Sequence, residues 1–242
     1  MDSLKNIISD IRVFLYGGIS TLPLTIAGTL SILGLFTGNY AIIFFLLGYL
    51  ILAPLGATLL NSIGGYIFGG FNIFKAKTGD NCKLVIPYST LNSSGNSNDS
   101  SAVISTNWLA MSTFFVGYLF TNSLELYSRE SEDTSLKIDT SSISDINTMV
   151  SNRKSQAIIA MASIIFFTLV ILIFRYYTGC ESILGMIITT VGFVYLGNGW
   201  YKILSMVGED RLSDLFGIAN RLLPPSAIKN APIACVPVKN SS

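Results

Sequence analysis

The chain has 242 residues, of which 50% are hydrophobic and only 12% charged, and its net charge is +1. That balance offers no basic field for nucleic acid. The absence of histidine removes His-based acid–base catalysis, Ser-His and Cys-His nucleophile pairs, and most zinc or haem sites.

No Asp, Glu, Lys or Arg occurs from Val13 to Phe74. A charged side chain costs about 2.5–3.5 kcal/mol at the centre of an inserted helix, so charge vanishes where a chain lies in hydrocarbon. The expected class is all-α: a polytopic transmembrane helical bundle of about five spans with a C-terminal amphipathic helix. The expected organisation is an N-terminal membrane region (1–74) with two spans, a polar loop (75–105), span 3 (106–124), a charged loop (125–154), spans 4 and 5 (155–207), an amphipathic helix (208–225) and an irregular tail (226–242).

Span 1 is expected near Val13–Phe36, with Gly17, Gly18 and Pro23 inside it. Met1–Arg12 is polar and the apolar run behind it is long, so an uncleaved first span is expected rather than a signal peptide. Thr37-Gly38-Asn39 reads as a turn. Span 2 begins near Tyr40 and runs to about Phe74, too long for one straight crossing. Pro54 removes a backbone donor. Either the helix is kinked there, or two short segments re-enter the membrane.

Span 2 carries small residues every fourth position, Ala53, Ala57, Asn61, Gly65 and Gly69. Such a ridge lets helix backbones approach closely in lipid, and an Asn adds an interhelical hydrogen bond. Three readings stand for it: packing inside the bundle, a seam between copies of the chain, or a flexible hinge around Pro54.

The loop Lys75–Ser105 contains an Asn/Ser-rich low-complexity patch with the sequons Asn92-Ser93-Ser94 and Asn98-Asp99-Ser100. Spans 3, 4 and 5 are expected near Thr106–Leu124, Ala157–Phe174 and Ser182–Tyr201. Trp108, Tyr127, Tyr176, Tyr177, Trp200 and Tyr201 fall near span ends, where amphipathic rings anchor at the interface. No charge lies within any of these spans, which counts against proton relays and ion-coupled carriers. Cys82 and Cys180 fall on one side of a five-span topology and could pair if that side is oxidising; otherwise they stay as thiols. The distribution of Lys and Arg leans toward a cytosolic C-terminus, and the sequons agree with a lumenal first loop.

After span 5, Leu212, Leu215, Phe216, Ala219, Leu222 and Leu223 repeat at helical spacing within Gly208–Leu223, and Pro224-Pro225 ends the pattern. This amphipathic helix either lies among lipid headgroups or packs on the bundle as a cap.

Two stretches carry a resemblance. One runs from Asn152-Arg153-Lys154-Ser155-Gln156-Ala157 through span 4 to Arg175-Tyr176-Tyr177-Thr178-Gly179-Cys180-Glu181-Ser182. The other is Leu196-Gly197-Asn198-Gly199-Trp200-Tyr201, followed by Asp210-Arg211-Leu212-Ser213-Asp214-Leu215-Phe216 and the Pro224-Pro225 end. Over its C-terminal third the chain resembles uncharacterised multi-pass membrane proteins of large nucleocytoplasmic DNA viruses. The resemblance implies a host membrane or the internal membrane of a virion, and no activity.

Together these features lead to the expectation of a structural or scaffolding membrane protein, not an enzyme. No cofactor and no metal are expected. The expected partners are the lipid bilayer and either further copies of the chain or other membrane or capsid proteins, reached through loops and the C-terminal helix. A small pore or carrier is the alternative, and a membrane-embedded enzyme stands third.

Overall fold

The computed structural model describes residues 17–68, 104–128, 140–179, 181–208, 210–213 and 215. Among these residues all regular structure is helical. Three helical runs, Tyr40–Ile67, Ser151–Tyr177 and Ile183–Val207, are long and apolar enough to cross a membrane.

Helix α1 (Leu22–Thr37) starts with Pro23 in its first turn, where the missing N–H is no loss. It ends at Gly38, whose φ of 62° is the left-handed geometry that closes a helix. Asn39 then caps the next helix, its side-chain oxygen accepting from the Ala41 N–H at 3.0 Å. These two residues reverse the chain in the least possible length.

The chain continues as one helical run through α2 (Tyr40–Leu47), a π-helical turn (Gly48–Leu52) and α3 (Ala53–Phe68). The run therefore does not break at Pro54. In the wide turn the Ala53 N–H reaches the Gly48 carbonyl, five residues back. A proline ring normally collides with the carbonyl four residues behind it, and a widened turn is a common way to move that carbonyl aside.

Helix α4 (Asn107–Ser128) is the middle of the molecule. Trp108 to Phe114 are all buried, and Gly117, Tyr118 and Thr121 continue the buried face. Its buried serine and threonine hydroxyls are satisfied within the helix. Ser112, Thr113 and Thr121 each donate to the carbonyl four residues earlier in α4, at 2.7–2.8 Å. Helix α6 (Ile183–Gly208) lies directly against it. A Cβ built on Gly117 would fall on the Val194 carbonyl oxygen, and one on Gly197 on the Phe114 carbonyl oxygen, so the two backbones touch.

Helix α5 (Thr140–Thr178) packs on α4 and leaves Ile158, Ile159, Ile165, Phe166, Phe167, Leu169 and Ile173 exposed. Among the described residues, large apolar side chains point outward on several helices, while Ser112, Thr113, Gly117 and Thr121 are buried on α4. A soluble monomer rarely exposes an apolar surface so extensive. The arrangement suits an integral membrane protein.

Aromatic rings fill the core between α2, α4 and α6. Phe45 meets Tyr118 edge-on at 4.8 Å between centroids, and Tyr118 meets Tyr201 at 5.2 Å. Successive helices alternate in direction between two ends. At one, Trp108 Nε1 donates to the Ser20 carbonyl at 2.8 Å. At the other, Trp200 Nε1 donates to the Phe44 carbonyl at 3.2 Å.

Candidate functional site

Polar chemistry concentrates at the Trp108 end, where the described chain enters α4. Residues 104–106 have no regular structure, so their backbone groups need partners. Asn61 on α3 supplies them. Its Oδ1 accepts from the N–H groups of Ile104 (3.0 Å) and Ser105 (2.8 Å), and its Nδ2 donates to the Ser105 carbonyl at 2.7 Å. One side chain thus acts as a substitute strand for a two-residue segment. Gly64 sits beside it, and a Cβ there would collide with the Ile104 side chain.

The next residue, Thr106, joins a buried ion pair. Arg175, in the last turn of α5, meets Glu181 at 3.1 Å, and their side chains are 4% and 0% exposed. Thr106 Oγ1 accepts from Arg175 Nη2 at 2.8 Å and donates to Glu181 Oε1. The guanidinium also stacks over the Trp108 ring, 4.7 Å from its centroid. Gly179 (φ 66°) bends the chain between the pair, which lets residues six apart in sequence face each other.

The site is lopsided. Glu181 Oε1 takes both bonds, while Oε2 is buried and has no hydrogen-bond partner. Burial raises the Glu181 pKa above the ordinary carboxyl value, and the attraction of Arg175 and the Thr106 hydrogen bond offset that only in part.

The predicted packing ridge is distributed unevenly. Ala53 and Ala57 are fully buried in the main core and Asn61 holds the α4 entry, but Gly65 has open space before it. Gly69 lies outside the described residues, as do Cys82 and Cys180. Of the predicted amphipathic face, Leu212 is half-buried and Leu215 is fully buried in the main core; Phe216, Ala219, Leu222 and Leu223 lie outside the described residues. Helix α7 (Asp210–Ser213) carries the chain back toward the bundle, where Tyr118 donates to the Ser213 carbonyl at 2.9 Å.

Thr106, Arg175 and Glu181 were not singled out as site residues by sequence reasoning. The two charges read as markers of span ends, and nothing in their spacing joins them to Thr106. The available signal was Gly179, a residue able to fold the intervening chain into a tight bend.

Among the described residues no group of His, Cys, Asp and Glu side chains is arranged to hold a metal ion. The buried pair can hold a proton and fix a turn. Comparison with known proteins found no match: no protein-family model, curated protein or solved structure is similar to this chain.

Proposed function

We propose that the chain is a structural membrane protein that crosses the bilayer five times and serves as a scaffold. The observation that carries this reading is the position of α4. A pore or carrier needs a path along the bundle axis, and here a buried helix occupies that place, backbone to backbone with α6.

The five crossings draw support from the spacing of polar anchors. From Arg153 to Arg175, both buried, α5 rises about 33 Å at roughly 1.5 Å per residue. Asn39 to Asn61 rises about 33 Å and Glu181 to Lys202 about 32 Å by the same measure. Each matches a hydrocarbon core of about 30 Å. Helix α4 spans a similar height but is not among the strongly apolar runs, because its neighbours, not lipid, surround it. Helix α1 is the shortest of the five.

The partners of such a scaffold are further copies of the chain or other membrane or capsid proteins. Placement in a viral membrane follows from the resemblance of the C-terminal third alone. Reconstitution into sealed liposomes tests the scaffold against the pore. The expected result is no protein-dependent flux of protons, sodium ions or a small anionic dye, and a saturable flux of any of them overturns the reading. Tags at Met1 and Ser242, probed with protease in sealed vesicles, test the crossings: opposite sidedness is expected, and a shared side is incompatible with five.

A further inference from the structure

We propose that the turn between α5 and α6 is a proton-operated latch, seated against the start of α4 when Glu181 is neutral and lifting away when Glu181 is ionised.

The geometry carries the direction. Ionised, Glu181 would hold negative charge on two oxygens, and only Oε1 is met by donors. The buried Oε2 would keep charge with no protein donor, which is the costly arrangement for a carboxylate. A neutral carboxyl removes that penalty at the cost of the attraction to Arg175, whose guanidinium keeps the Trp108 ring and the Thr106 hydroxyl as partners. Lifting the turn gives the ionised group back to water. Among the described residues, the charged group facing Glu181 is Arg175 from α5. Thr106 is the other side chain bonded to it; nearby, Trp108 lies under Arg175, Asn61 holds Ser105, Thr189 donates to the Ile104 carbonyl and Ser182 accepts from the Gly185 N–H, and none of these titrates in this range. The raised pKa of Glu181 has the same sign.

The turn is also built to move. Gly179 has open space around it, and Tyr176 and Tyr177 beside it are exposed. Helix α5 is held mainly by α4. Releasing Arg175 and Glu181 would free that end of α5 while the Gly117 and Gly197 contacts keep α4 and α6 together.

Trp108 reports the latch, because Arg175 lies over its ring. In detergent-solubilised full-length protein carrying Trp200→Phe, Trp108 emission is followed from about pH 5 to about pH 9. The expected result is a reversible red shift as pH rises, with its midpoint above the ordinary carboxyl range. Glu181→Gln should hold the emission at its low-pH position throughout. Thr106→Val, which removes the hydroxyl that favours the ionised form, should move the midpoint to higher pH and keeps the test open if the glutamine variant fails to fold. An emission that does not change with pH, a transition that persists in Glu181→Gln, or a midpoint unmoved by Thr106→Val overturns the proposal.

Discussion

The hydroxyl of Tyr118, on the central helix, donates to the backbone carbonyl of Ser213 at 2.9 Å, tying the chain beyond the last long helix to the middle of the bundle. Leu215 follows it into the main core. For this stretch, packing on the bundle describes the chain better than a position among headgroups.

Leu215→Asp should release that stretch. Burying a leucine contributes about 1.5–3 kcal/mol, and an unpaired buried carboxylate adds to the loss. The long helices should stay inserted while protease gains access to the chain after Lys202. Tyr118→Phe removes the hydrogen bond to the Ser213 carbonyl and should weaken the same attachment by about 1–2 kcal/mol. Native protease resistance in the Leu215→Asp protein would show that the contact does not hold the segment.

The glycines divide into two kinds, and substitution should separate them. Gly117→Ala and Gly197→Ala place a methyl group on a backbone carbonyl of the facing helix, which a side-chain rotation cannot relieve. Each should cost at least about 1–3 kcal/mol in unfolding from mixed micelles. Gly65→Ala meets nothing within the chain and should be neutral or stabilising by up to about 1 kcal/mol through helix propensity. If Gly65→Ala instead lowers the apparent mass in detergent, that face joins copies of the chain.

Asn61→Leu keeps the branched shape but removes three hydrogen bonds to Ile104 and Ser105. Leaving those half-buried backbone groups unpaired should cost about 2–4 kcal/mol. Backbone amide exchange at Ile104 and Ser105 should quicken well beyond any change in α6. Uniform quickening would point to global destabilisation instead.

Global stability should also respond to Glu181. Its pKa in the folded protein lies above the ordinary carboxyl value, so the folded state binds the proton more tightly than the unfolded chain. Its stabilising contribution is complete below the unfolded pKa and is lost as pH rises through the folded one. Thermal unfolding of the native protein should therefore lose ground against Glu181→Gln as pH increases across that window. A gap that is constant with pH, or of opposite sign, contradicts this.

Hydropathy marks contact with lipid, and that explains which helices were legible. The runs around Ile43, Phe166 and Ile187 face outward and are strongly apolar, so their sequences declare them. Helix α4 was legible as a helix but not as the centre, because Ser112, Thr113 and Thr121 lower its apolar character while its neighbours bury it. Asn61 stood out as the polar member of a small-residue ridge, but its partners lie some forty residues away and only tertiary structure joins them. Arg175 and Glu181 were visible as charges at span ends. Their burial depends on Thr106 and Trp108 arriving from another helix, which no local pattern records.

The wide turn at Gly48–Leu52 has a consequence for chain length. Phe45, Tyr49, Ala53, Ala57 and Asn61 all face the bundle at four-residue steps. In an unbroken α-helix each such step drifts by about 40°, so a row this long would wind off the core. The π-helical turn takes up one surplus residue and turns the row back inward. Deleting a residue inside most helices swings everything downstream by about 100°. Here the register already holds a spare, so loss of Leu50 should leave both halves aimed as they are, with Pro54 as the one residue forced to find new room.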